Sequence, residues 1–161
     1  MESRLDYGKV LPEGMKTIYA LDHYSAHCGL EPELLDLIKL RASQINGCPY
    51  CIDMHSKDLR TRGESEQRIY GLSIWRETPY YTERERAALA FTEAITLIAN
   101  DRVSDEVYDQ VRKQFVDEEI VKLVIAISVI NVWNRFAITF GDEPGSYKPD
   151  HFVTKKGKDS R

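Results

Sequence analysis

The chain has 161 residues, and its 22 lysines and arginines against 26 aspartates and glutamates give a formal charge of −4. This length fits one domain, and a composition of 42% hydrophobic and 30% charged residues is typical of a soluble globular protein. The acidic balance argues against nucleic acid or an anionic membrane as a partner, because phosphate binding needs clustered basic side chains.

The apolar segments and the cysteine count indicate a location. The first residues lack a basic stretch followed by an apolar run, so we expect no signal peptide. The longest apolar stretch, residues 123–133, has about half the length of a bilayer span and is interrupted by Ser128 and Asn131. Three cysteines suit a reducing cytosol better than a disulfide-stapled secreted domain. We therefore expect a cytoplasmic protein with no membrane partner.

The periodicity of apolar residues is helical along the first half of the chain. It predicts a first helix over residues 15–28. A second helix follows Pro32 and ends near Gly47, and a third covers residues 49–62. The pattern then predicts a polar segment and a connector punctuated by glycine and proline, over residues 64–81.

Capping signals mark the helices of the second half. Thr82 and Glu85 form a capping box, which predicts a helix that continues to about residue 99. A shorter helix capped by Ser104 or Asp105 follows. No run of alternating apolar and polar residues predicts a strand. The sequence therefore predicts an all-α single domain of about six to seven helices.

The last long helix is unusually apolar. It begins at the three acids of residues 117–119 and ends before Gly141. Between Ile120 and Ile138 the apolar residues cover nearly its whole circumference, and a helix of that kind has to be buried on all sides. Two interpretations stay open: a central core helix, or a helix at an interface between subunits.

The chemistry concentrates in the segment from Cys48 to His55. Two thiols at Cys-x-x-Cys spacing can close a disulfide across a first helical turn, and Pro49 favours a helix start there. The free amides and the positive dipole end of a helix start favour a thiolate. His55 follows Cys51 by four residues and so lies one turn further on the same helix face, within reach for proton exchange. A thiolate, a second thiol and a base are thus supplied by eight residues.

Two other interpretations of this segment stay open. Its two cysteines and His55, with a fourth ligand from Cys28, His23 or His27, would suit a structural zinc ion. The hydrophobic helices are sufficient for a core without metal, so we expect no metal. The cysteines could instead be inert buried side chains. A thioredoxin-like fold fits poorly, because that use of Cys-x-x-Cys goes with a βαβ context.

The segment DLIKLRASQINGCPYCIDMH, residues 36–55, strongly resembles the core of the alkylhydroperoxidase D-like branch of the carboxymuconolactone decarboxylase family. Residues 130–135 look like its final helix, so that the resemblance covers residues 31–140. It implies an all-helical fold that assembles as trimers or hexamers, and a thiol peroxidase activity. In that scheme Cys51 attacks the peroxide and becomes a sulfenic acid, and Cys48 resolves it to a disulfide. An external dithiol reductant then restores both thiols, and no bound cofactor is implied.

The family relay also uses a glutamate twelve residues before the first cysteine, where this chain has Asp36. We assign Asp36 to orient and charge-stabilise His55, the role of a carboxylate beside a catalytic imidazole. A solvated acid on the helix surface is the alternative for this residue. Some family members have a histidine between the cysteines, and Tyr50 stands there in this chain, which removes one possible proton donor.

The expected organisation is an N-terminal helical segment over residues 1–30, the core over 31–140 and a C-terminal tail over 141–161, all in one domain. The expected substrates are an organic hydroperoxide or hydrogen peroxide and a dithiol electron donor, acted on by a homotrimer or homohexamer. Two further function classes stay open. One is a carboxymuconolactone-type decarboxylase, which needs no cysteine pair, and the other is a non-catalytic redox-sensing or zinc-stabilised module.

Overall fold

The structure, a computed structural model, describes residues 3–149. Within that range the secondary structure is entirely helical and contains no β-strand, which confirms the predicted all-α single-domain fold. The eight α-helices are α1 (Tyr7–Val10), α2 (Pro12–Ala26), α3 (Pro32–Asn46), α4 (Pro49–Thr61), α5 (Glu66–Gly71), α6 (Glu83–Thr96), α7 (Asp105–Gln114) and α8 (Asp117–Phe140), and one 3-10 helix covers Leu72–Glu77. The end of the predicted tail, residues 150–161, lies outside the described residues.

The structure has more α-helices than the predicted six to seven because two of them, α1 and α5, are too short to be predicted from the periodicity of apolar residues. Helix α1 has four residues and begins where the side chain of Asp6 accepts a hydrogen bond from the Lys9 amide. Helix α5 and the 3-10 helix occupy the stretch predicted as a polar segment and connector, and Ser65 caps α5. Elements of one or two turns are too short to show an apolar repeat.

The core forms around α3 and α8. Helix α3 packs against α4, α6 and α8, and its Leu37 and Ile38 are completely buried. Helix α8 packs against α2, α3, α4, α6 and α7, with Leu123 and Ile127 completely buried on its inner face. These two helices therefore place the ends of their neighbours, including the start of α4.

The outer face of α8 is open to solvent in the single chain. Val121, Val124 and Ile138 are 60%, 39% and 44% exposed, so the expectation of burial on all sides is met only on the inner face. By length and composition alone α8 is apolar enough to cross a membrane, with a mean hydropathy of 1.6 over its most apolar 18 residues. Core helices have the same composition, and the contacts of the inner face identify α8 as the core helix of this fold.

The turn between α3 and α4 brings the cysteine segment to a helix start, as the sequence predicts. Gly47 ends α3 with φ +66°, a left-handed conformation that glycine adopts without the steric penalty of a Cβ atom. The Cys48 amide donates to the Ser43 carbonyl over 3.0 Å, and Cys48 is the N-cap residue of α4. Pro49 occupies the first helical position. Helix α4 consequently packs against α3 from its first turn.

Candidate active site

A disulfide joins Cys48 and Cys51 across the first turn of α4. Their Cα atoms are 5.4 Å apart, and the Cys51 amide lies 3.3 Å from Sγ of Cys48, to which it donates. Both residues are buried, with 0% and 2% of their surface exposed. The helix start therefore places the two sulfurs in direct bonding contact and donates an amide to one of them.

A cavity of about 360 Å³ opens beside this pair. The wall formed by the described residues includes Cys51 and His55 but not Cys48, which lies behind it. Aromatic side chains make up much of the remaining wall: Tyr7, Tyr19, Tyr50, Trp133 and Tyr147. Among the two cysteines, Cys51 is thus the one that a small molecule in the cavity meets.

His55 is buried next to Cys51 and faces a carboxylate that sequence reasoning missed. Only 4% of His55 is exposed, and its Nδ1 lies 3.4 Å from Oδ2 of Asp58. Within residues 3–149 neither ring nitrogen has a hydrogen-bond partner, so the approach of Nδ1 to Oδ2 is a close contact and not a hydrogen bond. The other oxygen of Asp58, Oδ1, accepts a 2.7 Å hydrogen bond from the hydroxyl of Tyr147. The Nδ1 edge of the imidazole thus faces a carboxylate, while Nε2 is buried without a polar partner among the described residues.

The electrostatics of Asp58 keep it ionised. Burial raises the pKa of its carboxyl, but the contact with His55 and the hydrogen bond from Tyr147 outweigh burial and hold that pKa below its ordinary value. Lys39, which also lines the cavity, acts in the same direction through its charge. A carboxylate charged at neutral pH therefore lies against the ring of His55.

Asp36, the residue assigned from the sequence to His55, has a different direct partner. Its buried carboxylate accepts a 2.5 Å hydrogen bond from Nε of Arg62. Burial raises the pKa of Asp36 despite the charges of Lys39 and Arg62. Its electrostatic interaction with His55 is the weakest of these effects. Asp36 is therefore no solvated surface acid, and its proposed orienting role stays a prediction, while Asp58 supplies the carboxylate nearest to the imidazole.

The two missed residues differ in how far the sequence signals them. Asp58 follows His55 by three residues, a spacing that puts both on one helix face and that marks it as a candidate. Tyr147 lies 89 residues beyond Asp58 and carries no local signal, because only the tertiary fold brings them together.

A buried polar network fixes the end of α3 against α8. Nδ2 of Asn46 donates to Oδ1 of Asn131 over 3.0 Å and to Oδ1 of Asn134 over 2.8 Å. Asn134, 1% exposed, donates in turn to the hydroxyl of Ser43 over 3.1 Å. Since the Ser43 carbonyl accepts from the Cys48 amide, this network holds the turn that presents the cysteines.

The three residues considered as a fourth zinc ligand, Cys28, His23 and His27, have other contacts. Among the described residues no three His, Cys, Asp or Glu side chains form a group that could hold a metal ion. Cys28 is a free, half-buried thiol that packs against the apolar cluster of α3, α6, α7 and α8. His23 and His27 stack on each other, with ring centroids 4.3 Å apart. The third cysteine therefore has no partner sulfur.

Comparison with known proteins identifies relatives along nearly the whole chain. The model of the carboxymuconolactone decarboxylase family matches residues 12–94. The chain is 44% identical to the uncharacterized protein YdfG of Bacillus subtilis over 91% of its own length and 99% of that protein. The match therefore extends well beyond the cysteine motif.

Solved structures share the fold. One, with a TM-score of 0.88 and 46% identity, is an Agrobacterium tumefaciens protein of unknown function, a candidate antioxidant defence protein AhpD; the similarity covers 91% of this chain and all of that one. A second is the alkylhydroperoxidase AhpD core of a peroxidase-related protein from Ralstonia eutropha, with a TM-score of 0.72 and 22% identity over 84% of this chain and 72% of that one. At that identity the second similarity concerns the fold alone.

Proposed function

This chain belongs to the alkylhydroperoxidase D-like branch of the carboxymuconolactone decarboxylase family, and from that premise we propose that it is a thiol-dependent peroxidase that reduces organic hydroperoxides. One observation carries the proposal: of two adjacent buried cysteines, Cys51 lines a cavity together with an imidazole whose two nitrogens have no hydrogen-bond partner among the described residues. This is the arrangement that a thiolate nucleophile and its base require.

The proposed reaction has three steps. His55 takes the proton of the Cys51 thiol, and the thiolate attacks one oxygen of the hydroperoxide, so that an S–O bond forms and the O–O bond breaks. His55 returns the proton to the departing alkoxide, which leaves as an alcohol. Cys48 then attacks the sulfenic acid of Cys51, which releases water and forms the disulfide. An external dithiol reduces this disulfide by thiol exchange and is itself oxidised.

The cavity wall favours a peroxide with an organic substituent. Its tyrosines and Trp133 offer apolar ring faces, with polar groups only at their edges. A volume of about 360 Å³ lies near the lower end of the range for small-molecule sites. We therefore expect organic hydroperoxides that fit this volume to react with Cys51 faster than hydrogen peroxide does.

Thiol counting tests the proposal directly. Reduced protein treated with one equivalent of cumene hydroperoxide should fall from three titratable thiols to one, since the chain has three cysteines and Cys28 is unpaired. Mass spectrometry should then find the peptide that carries Cys48 and Cys51 lighter by two hydrogens. If all three thiols remain alkylatable after the oxidant, the protein is not a peroxidase of this type.

Single cysteine variants assign the roles. Cys51→Ser should abolish peroxide consumption, and Cys48→Ser should allow one oxidation event and leave a sulfenic acid on Cys51 that a dimedone probe captures. Cys28→Ser is the matched control and should turn over like the wild type. Dimedone on Cys48 in the Cys51→Ser protein would instead reverse the two roles.

The remaining expectations on location and assembly belong to the same proposal. It places the protein in the cytoplasm, where dithiol reductants are available. An apolar groove between α6, α7 and α8 supports a homotrimer or homohexamer, because it leaves large side chains such as Ile98 (59% exposed) open in the single chain. Light scattering tests this, since a mass near the 18.6 kDa of one chain would exclude it.

A further inference from the structure

The segment after α8 lies along the exposed side of α4 and is tied to it at two residues. We call residues 142–147 the C-terminal strap. Oδ2 of Asp53 accepts from the Gly145 amide over 2.9 Å and from Nζ of Lys57 over 2.7 Å. The same Nζ donates to the carbonyls of Gly145 and Tyr147 over 3.4 and 3.1 Å. These bonds fix the backbone of the strap against α4.

The course of the strap depends on one glycine and on a contact at its start. Gly145 has φ +100°, a conformation that residues with a side chain rarely adopt, and it turns the chain back over α4. At the start of the strap, Oδ2 of Asp142 accepts a 2.8 Å hydrogen bond from the hydroxyl of Tyr7 in α1. Two residues of the strap, Asp142 and Tyr147, line the cavity.

The last residue of the strap reaches the imidazole through a carboxylate. The hydroxyl of Tyr147 donates to Oδ1 of Asp58, and Oδ2 of the same carboxylate faces Nδ1 of His55. One oxygen of Asp58 is thus hydrogen-bonded to Tyr147, and this bond holds the carboxylate whose other oxygen is in contact with the ring of His55. Apart from this 3.4 Å contact, neither ring nitrogen of His55 has a hydrogen-bond partner within residues 3–149. The orientation of that ring consequently depends on this one carboxylate.

We propose that Tyr147 is a positioning residue that, by holding Asp58, fixes the ring of His55 with Nδ1–H toward the carboxylate and Nε2 toward Cys51. The inference rests on the proposed function for its kinetic consequence but not for its structural one. A neutral imidazole carries its proton on either nitrogen, and only the form with Nδ1 protonated leaves Nε2 able to accept a proton from the thiol. The strap thus connects the C-terminal part of the chain to the reactive end of α4.

Other charged groups near the ring do not replace this contact. From α3, Lys39 lines the same cavity and its side chain has no carboxylate or carbonyl to offer the ring, and Asp36 is bonded to Arg62. From the strap, Asp142 is bonded to Tyr7. Tyr147 and Asp58 therefore form the one chain of contacts that selects an orientation of the ring among the residues that the structure describes.

Nuclear magnetic resonance of the histidine side chains tests the inference without any enzymatic assay. The chain has four histidines, so the ring nitrogens of His55 can be assigned with a single His55→Gln spectrum. The wild type should show the His55 tautomer with Nδ1 protonated. In Tyr147→Phe the His55 signals should move toward a mixture of the Nδ1–H and Nε2–H tautomers. Asp58→Asn should produce a larger change in the same direction. Tyr24→Phe, at a residue of α2 that is 49% exposed, is the control and should leave the His55 signals unchanged.

Steady-state kinetics provide the second readout. Tyr147→Phe should lower kcat roughly tenfold, a fraction of the 100- to 10,000-fold that general acid–base catalysis contributes, with little change in KM. Asp58→Glu should recover part of the rate lost in Asp58→Asn. Circular dichroism first establishes that each variant is folded.

The outcomes separate the two proposals. If the wild type consumes no peroxide but the ring signals change as expected, the proposed function fails and the positioning role stands. If Tyr147→Phe keeps the wild-type ring signals and kcat, the positioning role is overturned and the strap only covers α4. A rise in KM alone would equally overturn it, because the hydroxyl would then act on the substrate.

Discussion

The polar network between α3 and α8 allows a quantitative prediction. In Asn134→Ala the chain loses two buried hydrogen bonds, one from Asn46 and one to Ser43. At about 1 kcal/mol each, together with the cavity left by a side chain that is 1% exposed, the loss in unfolding free energy should be about 2–3 kcal/mol. For a chain of this size that lowers Tm by roughly 4–12 °C.

The remaining partners limit the loss. Nδ2 of Asn46 keeps the 3.0 Å bond to Asn131, and the Ser43 hydroxyl keeps its 2.7 Å bond to the Lys39 carbonyl, so neither group is left without a partner. Urea unfolding followed by far-ultraviolet circular dichroism, at one fixed protein concentration, measures the change. Asn100→Ala, at an exposed position after α6, is the matched control and should stay within about 0.5 kcal/mol of the wild type.

A double-mutant cycle tests whether the hydrogen bond between Asn46 and Asn134 causes the loss in unfolding free energy. If Asn46 and Asn134 are hydrogen-bonded, the loss in Asn46→Ala/Asn134→Ala should be smaller than the sum of the single losses by about 1 kcal/mol. Additive losses, or a loss in Asn134→Ala no larger than in the control, would refute the reasoning. The network would then be a consequence of packing with no contribution of its own to stability.

Three further predictions follow from other parts of the molecule. Gly47→Ala should destabilise the fold by about 1 kcal/mol in urea unfolding, because its left-handed φ disfavours a Cβ atom even though no atom lies within 4 Å of one there. Burial raises the pKa of Glu93, but hydrogen bonds from an indole and two guanidinium groups outweigh it and hold that pKa below 4.5. The ionised Glu93 therefore stabilises the folded state above pH 4.5, and this contribution is lost as the pH falls through the lower folded pKa. In Glu93→Gln, which has no such group, Tm should fall less steeply than in the wild type between about pH 5 and 3. Val124→Asp, on the outer face of α8, should reduce the mass in light scattering to 18.6 kDa while the helix content stays unchanged, and an unchanged mass would place the interface elsewhere.

The sequence correctly predicted the features that depend on a few consecutive residues, namely helix ends and the position of the cysteine pair. The capping box of Thr82 and Glu85 is present with both of its hydrogen bonds, and Gly47 and Pro49 end and begin helices where their backbone preferences indicate. The cysteine pair lies at a helix start for the same reason. Each of these features depends on a few consecutive residues, and such features are legible in a single sequence.

The sequence did not predict which side chains from distant segments are in contact. Arg62, the partner of Asp36, lies 26 residues away, and Tyr147 lies 89 residues from Asp58. Whether Asp36 meets His55 or Arg62 depends on how α4 packs against α3, which no local pattern determines. The sequence therefore predicted the types of group in the site and missed which of them are in contact.

The burial of both sulfurs has a consequence for chemical damage. A sulfenic acid that persists in the presence of excess peroxide is oxidised further to sulfinic and sulfonic acids, which thiols do not reverse. In the protein acting as proposed, the first turn of α4 holds Cys48 next to Cys51, and both residues are buried. The attack of Cys48 on the sulfenic acid therefore competes well with oxidation by a second peroxide. Such a site is suited to sustained peroxide loads, under which an exposed cysteine without a resolving partner accumulates irreversibly oxidised forms.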